Sequence, residues 1–127
     1  ENRRRMAQHP GVLDTLVDIC VDRGSDDKDR DNATRAIMHL TNESSNRKIM
    51  CNKSVLNALV AGASLEGAKM EETRDSAVRA IERLATEFSN RPLLAKHSGL
   101  LVAVAKATER EARLEDSGKK AEHAYLA

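Results

Sequence analysis

Apolar residues recur along the chain at the spacing of one face of an α-helix, and polar stretches interrupt them at regular intervals. In one segment Ala33, Ala36, Ile37 and Leu40 follow the order i, i+3, i+4 and i+7. The segment 11–22 repeats this helical spacing, and acidic stretches occupy 22–31, 66–75 and 109–118. Because such spacing places the apolar side chains on one helical face, the pattern predicts an all-α protein built of amphipathic helices.

The helical pattern is repeated at a fixed interval. The segment RDNATRAIMHLTNESSNR begins at Arg30 and returns 44 positions later, from Arg74, as RDSAVRAIERLATEFSNR, with 11 of 18 positions identical. An Asn-Arg pair occurs at 2–3, 46–47 and 90–91. The predicted units are therefore 1–45, 46–89 and an incomplete third, 90–127, in one continuous domain. We expect a fragment of a longer protein, with apolar ends that favour end-to-end self-association.

Each unit is predicted to hold one short and two longer helices. The short segment opens on Asn2, Asn46 or Asn90, and asparagine is a favourable N-cap residue. A second helix follows near 11–22, 54–65 and 99–108, and the alanine-containing third helix follows the acidic stretch. A three-helix unit of about 40–47 residues falls in the armadillo and HEAT size class.

The repeated residues resemble the armadillo repeat. The shared features are the Asn-Arg opening, a Gly before the Leu/Val-rich second helix, and a third helix of the form A-x-x-A-[LI]-x-x-L. Ser54 replaces the Gly in the second unit, and Gly118 and Tyr125 depart from the pattern in the third. The resemblance implies a right-handed α-solenoid whose third helices line a concave surface. HEAT repeats, which lack the short opening helix, remain the alternative.

Charged residues four positions apart form a row along each third helix. The rows run from Asp31 to Glu43, from Asp75 to Glu87 and from Lys119 to Ala127, with cationic residues between the acids in the first two. The candidate partner-binding residues are Arg35, His39, Arg79, Arg83 and His123.

The resemblance favours an acidic ligand for this surface. In importin-alpha-like armadillo proteins, Trp and Asn grip basic peptides, but the matching positions here include Arg35, Arg79 and His123 for Trp, and His39 and Arg83 for Asn. Beta-catenin-like armadillo proteins instead receive extended acidic segments. An acidic, extended protein segment is therefore the expected ligand.

The same row permits a second interpretation, in which the arginines are paired within the helix. Asp31 with Arg35 and Asp75 with Arg79 stand in the favoured acid-before-base order at i, i+4, and Glu87 follows Arg83 at the same spacing. Each such pair contributes about 0.3–0.5 kcal/mol. A self-paired, solvated face and a ligand-binding face both remain open.

Composition narrows the classes of function. The formal net charge is +1 and the aromatic residues are Phe88 and Tyr125, so base-stacking platforms are absent from the predicted groove and nucleic-acid binding is the weaker alternative. His9 and His97 lie two units apart, and no metal, cofactor or nucleophile motif appears, so no enzymatic activity is expected. Cys20 and Cys51 are predicted to be buried reduced thiols of an intracellular protein without a membrane span.

Overall fold

The computed structural model describes residues 2–109, and this part of the chain consists of helices and short connections, without a strand. The all-α prediction is confirmed. The predicted third helix of the last unit and the candidate residue His123 lie outside the described residues. None of the described helices reaches the length and apolar content that a membrane crossing needs.

Eight α-helices follow one another in the described part. They are α1 (Asn2–Gln8), α2 (Pro10–Val21), α3 (Asp27–Leu40), α4 (Arg47–Met50), α5 (Lys53–Ala63), α6 (Glu71–Ala85), α7 (Arg91–Lys96) and α8 (100–109). Short 3₁₀ helices precede α4, α6 and α7, at Ser44–Asn46, Ala68–Met70 and Phe88–Asn90.

Capping side chains determine where α3 and α5 begin. Asp26 precedes α3, and its carboxylate accepts a hydrogen bond of 2.8 Å from the backbone N–H of Asp29. Asn52 acts likewise before α5, accepting from the backbone N–H of Val55 at 3.0 Å. Such caps satisfy N–H groups that the first helical turn leaves without partners. Before the 3₁₀ helix that leads into α6, Gly67 has a φ of 96°, a conformation that favours glycine.

The core forms where equivalent helices of successive units pack together. Helix α2 packs on α5, α3 packs on α6, and the two long helices within each unit also contact each other. The i, i+3, i+4, i+7 positions of α6 are fully or almost fully buried: Ala77, Ala80, Ile81 and Leu84. This packing is compatible with a helical repeat.

Asn46 and Asn90 stand at the N-cap positions of α4 and α7, but their side chains do not cap these helices. Asn46 and Asn90 are almost fully buried and make no side-chain cap hydrogen bond to α4 or α7. Instead, the Asn46 amide nitrogen donates to the carbonyl oxygens of Arg3 and Leu40, both at 2.9 Å. The N-cap position was therefore predicted correctly for both residues, but the capping hydrogen bond was not, because α1 and the end of α3 offer the buried Asn46 amide two carbonyl acceptors.

The same geometry recurs one unit later. The Asn90 amide nitrogen donates to the carbonyl oxygens of Arg47 at 2.9 Å and Leu84 at 3.0 Å. We call this repeated arrangement the asparagine clasp, meaning Asn46 or Asn90 with its two carbonyl acceptors. It joins the end of the preceding third helix to the preceding short helix.

The arginine after each asparagine reinforces the same junction. Nε of Arg47 donates to the carbonyl oxygen of Thr41 at 2.9 Å, and Nε of Arg91 donates to that of Ala85 at 3.2 Å. Both carbonyls lie at a helix C-terminus, where backbone acceptors lack partners within the helix and a cation is favoured. The Asn-Arg pair is thus a helix-terminating and unit-joining motif.

The two cysteines are free thiols and both are buried. Cys20 lies 3.5 Å from the Thr34 hydroxyl, so the thiol and hydroxyl share a hydrogen bond between α2 and α3. Burial raises the pKa of the Cys20 thiol against smaller opposing effects of Thr34 and Arg30. Burial also raises the pKa of Cys51.

Candidate functional site

The four described candidate residues lie on two adjacent helices. Arg35 and His39 belong to α3, Arg79 and Arg83 belong to α6, and α3 packs directly on α6. Arg35, His39 and Arg79 are exposed, whereas Arg83 is half-buried. We call the surface formed by these side chains and their immediate neighbours on the two helices the α3–α6 face.

A concavity of about 370 Å³ brings part of this set together. Arg35 and Arg79 line it from opposite helices, together with Met38, Glu72, Asp75 and Ser76. His39 does not line this concavity. The structure therefore unites two of the predicted arginines in one surface depression.

Arg35 is held by two carboxylates. Its guanidinium donates to Asp31 in the preceding turn of α3 at 2.8 Å and to Glu72 on α6 at 3.3 Å. The other Asp31 oxygen accepts a 2.8 Å hydrogen bond from the hydroxyl of Thr73, which is buried. Asp31 and Arg35 thereby form a polar bridge between the two helices.

Arg83 is held by the backbone of the neighbouring helix. Its Nη1 donates to the carbonyl oxygen of Met38 on α3 at 3.2 Å. The acid expected to pair with it, Glu87, accepts instead from the hydroxyl and backbone N–H of Ser89. Those hydrogen bonds, the hydroxyl one foremost, lower the pKa of Glu87 below its ordinary value. Arg83 therefore connects the helices more than it offers charge to a ligand.

Arg79 differs from the other two arginines. Within residues 2–109 its exposed guanidinium makes no hydrogen bond or ion pair, so the predicted pairing with Asp75 does not form there. Arg79 also lines a second concavity of about 180 Å³, between α6 and α8, whose other walls include Asp75, Glu82 and Thr108. It stands between the depression that α6 shares with α3 and the one that α6 shares with α8.

Sequence reasoning missed the contribution of Glu72 and Thr73 to this face. The acidic stretch 66–75 was expected to precede the third helix, but its second half opens α6, and Glu72 reaches Arg35 on α3. A rule that compares residues four apart in one helix cannot identify a partner on a neighbouring helix. The sequence signal that could have placed Glu72 in α6 is the pair Glu71 and Glu72, because acidic residues are favoured in the first turn of a helix.

The chemistry of the α3–α6 face is that of recognition by charge and hydrogen bonds. A guanidinium can bind a carboxylate through two parallel N–H donors, and no described residue occupies the donors of Arg79. Among the described residues, no three His, Cys, Asp or Glu side chains converge in a way that could hold a metal ion. The phenyl ring of Phe88 lies under the Arg91 guanidinium, 5.3 Å away, and Phe88 does not line either concavity.

Fold and face together define an all-α protein whose equivalent helices pack in succession and present a mixed-charge surface. No family model, curated protein or solved structure matches the chain.

Proposed function

We propose that the chain is a right-handed, armadillo-type α-solenoid that binds an extended acidic segment of a partner protein along the α3–α6 face. The 44-residue repeat and the packing of α2 on α5 and α3 on α6 support the architecture. The free thiols support a location inside the cell, where cysteines stay reduced.

The proposal of an acidic ligand rests on the exposed Arg79 guanidinium. It occupies the boundary between two concavities and has no partner among residues 2–109, so binding a carboxylate there breaks no described ion pair. A ligand lying across both depressions passes over this side chain. Arg79 is therefore the proposed anchor for an acidic residue of the partner.

Arg35 is the proposed second contact. Its side chain is 45% exposed, and that of its partner Glu72 is 82% exposed. Such an exposed ion pair contributes about 1 kcal/mol or less, so a ligand carboxylate can replace Glu72 at small cost. Asp31 and Thr73 remain in place during this exchange because their hydrogen bond is more shielded.

His39 and Arg83 have different proposed roles on the same face. Exposed His39 extends the polar surface toward the end of α3, where a ligand side chain can accept from its ring. Arg83 keeps the spacing of α3 and α6 through its bond to Met38. Charge reversal at Arg83 therefore tests folding as much as binding.

Charge reversal at Arg79 tests the function directly. We expect Arg79→Glu to weaken capture of a fluorescent, extended Asp/Glu-rich octapeptide about tenfold or more in low salt, as loss and reversal of a charge contact predicts. Arg79→Glu combined with Arg83→Glu should abolish it. Arg23→Glu, an exposed change in the α2–α3 connection, is the charge-matched control and should bind nearly as the parent does.

Circular dichroism of each variant separates lost binding from lost folding. Undiminished peptide capture by folded Arg79→Glu would contradict the proposal. Preference for a random single-stranded oligonucleotide, with affinity falling steeply as salt rises, would support nucleic-acid binding instead.

A further inference from the structure

Two equivalent grooves lie at successive unit junctions, and they share no residue with the α3–α6 face. The first, of about 540 Å³, lies between the α1–α2 and α4–α5 segments. The second, of about 520 Å³, lies between α5 and the region around α7. The second junction groove is lined by Cys51, Asn52, Lys53, Leu56, Asn57, Leu93, Lys96, His97 and Ser98.

The two grooves have matching apolar surfaces. Leu13 in the first groove corresponds to Leu56 in the second, and both leucines are buried. Ile49 corresponds to Leu93, and these side chains are 45% and 52% exposed. An exposed aliphatic wall beside a buried leucine forms a surface that can bury one large apolar side chain of a ligand.

Their charges differ at equivalent positions. Asp14 lines the first groove near Lys53, whereas the second has Asn57 in place of Asp14 and holds both Lys53 and Lys96. No carboxylate occurs among the described residues that line the second groove. The second junction groove is therefore apolar on its wall and cationic at its rim.

His97 lines the same groove and is hydrogen-bonded to another of its lining residues. Its Nε2 lies 2.7 Å from the Asn57 side-chain oxygen, which can only accept, so Nε2 carries the proton. Nδ1 is buried and makes no hydrogen bond in the described part of the chain. The hydrogen bond to Asn57 therefore orients the His97 ring in the groove wall.

We propose that the second junction groove binds a short partner segment containing one large apolar side chain next to carboxylates. The apolar side chain packs between Leu56 and Leu93. The carboxylates meet Lys53 and Lys96. This contact lies outside the α3–α6 face and does not rest on the function proposed for it.

Methyl-detected NMR titration tests this site with defined peptides. The probes are acetyl-Asp-Glu-Leu-Asp-Glu-amide, the same peptide with glycine in place of leucine, and a counterpart with lysines in place of the acids. We expect the leucine peptide to shift the methyl signals of Leu56 and Leu93, and the glycine and lysine peptides to bind at least about fivefold more weakly, as loss of one apolar or charge contact predicts.

Substitutions then separate this groove from its equivalent. Lys96→Glu should weaken the leucine peptide about fivefold or more, and Asn57→Asp, which gives the second groove the acid of the first, should act in the same direction. Lys69→Glu, exposed and outside the groove, should leave the affinity read from the Leu56 and Leu93 methyl signals unchanged.

Three outcomes would overturn the assignment. They are absence of methyl shifts at Leu56 and Leu93, equal affinity for the leucine and glycine peptides, and shifts that depend on protein concentration alone, which would indicate a second copy as the occupant. Loss of binding at Arg79→Glu with the groove methyls unperturbed would support only the function proposed for the α3–α6 face.

Discussion

The buried amides of Asn46 and Asn90 each connect backbone carbonyls from two different helices. A polar side chain with an exposed fraction of 0–1% is stable in a core only when its donors find acceptors. Here the acceptors are the last carbonyls of a long helix and a carbonyl of the preceding short helix. One side chain therefore stabilises a helix end and the packing of two units together.

Replacing Asn46 or Asn90 with alanine should lower the free energy of unfolding by about 1–3 kcal/mol for each, because buried carbonyls lose their donor. Urea unfolding followed by circular dichroism measures the change. Asn42→Ala removes an exposed asparagine side chain and should stay within about 0.5 kcal/mol of the parent. Equal, small effects at all three positions would contradict the clasp.

The thiols of Cys20 and Cys51 should react slowly with iodoacetamide in the folded protein at neutral pH. Burial limits access to them and raises their pKa values, so little of the reactive thiolate is present. Mass spectrometry should find rapid modification of both only in urea. Fast modification of the native protein would contradict this burial.

The raised thiol pKa values also predict how the free energy of unfolding changes with pH. The folded state favours the protonated thiol, so this stabilisation is present below the unfolded-state pKa and is lost as pH rises through the folded-state pKa. Unfolding free energy should therefore decline at alkaline pH. Replacing both cysteines with alanine should reduce that decline.

Residue patterns in the sequence identified the core residues more reliably than they identified the polar contacts. Ala33, Ile37 and Leu40 are buried as their spacing predicts, because helical periodicity alone determines which side faces inward. The hydrogen bonds of Asn46 were mispredicted because capping is a local rule, whereas its acceptors lie 6 and 43 positions away. Tertiary acceptors of this kind leave little trace in a single sequence.

At the scale of helices, α5 contacts its neighbours through a glycine. A Cβ atom placed on Gly62 would lie 3.1 Å from the Cβ of Ala77 on α6 and 3.5 Å from a methyl of Thr34 on α3. These distances leave no room for a branched side chain. Gly62 thus sets how closely α5 approaches both third helices.

We expect Gly62→Val to destabilise the fold by about 1–3 kcal/mol through overpacking. Gly11→Ala in α2 is the matched control: its added methyl would meet only the His9 side chain, at 3.6 Å. Since alanine is the better helix former, that control should be neutral or stabilising by up to about 1 kcal/mol. Thermal or urea unfolding distinguishes the two. A neutral Gly62→Val would show that α5 can move away freely.

The rows of charged residues on α3 and α6 were only partly predictable. The Asp31–Arg35 pair forms as its i, i+4 spacing predicts. The expected partners of Arg79 and Arg83 do not pair with them among the described residues. For Arg83 the reason is competition, because Arg83 reaches Met38 and Glu87 is held by Ser89. A helix-by-helix view misses such competition between neighbouring helices.

At the scale of the molecule, the second unit is packed on both sides. Helix α5 lies against α2, and α6 lies against α3, while the segment after α6 contributes Leu94, Leu100 and Ala103 to the core. In contrast, the first helix buries only Ala7 among its residues. Stability is therefore distributed unevenly along residues 2–109.

Amide hydrogen exchange should follow this distribution. Backbone amides in the middle of α5 and α6 should be the most protected, and those of α1 should exchange orders of magnitude faster, since local opening there exposes little apolar surface. Exchange followed by NMR or mass spectrometry measures the order. Protection of α1 equal to that of α6 would contradict the prediction.

The asparagine clasp also bears on how such a chain can grow in evolution. Its acceptors are backbone carbonyls, which every residue possesses, so the clasp demands no particular side chain from the unit before it. When a gene segment encoding one unit is duplicated, the new copy carries its own asparagine. The backbone carbonyls of the preceding unit can accept the hydrogen bonds of that asparagine. Side chains elsewhere are then free to diverge, as the differing charges at Asp14 and Asn57 illustrate.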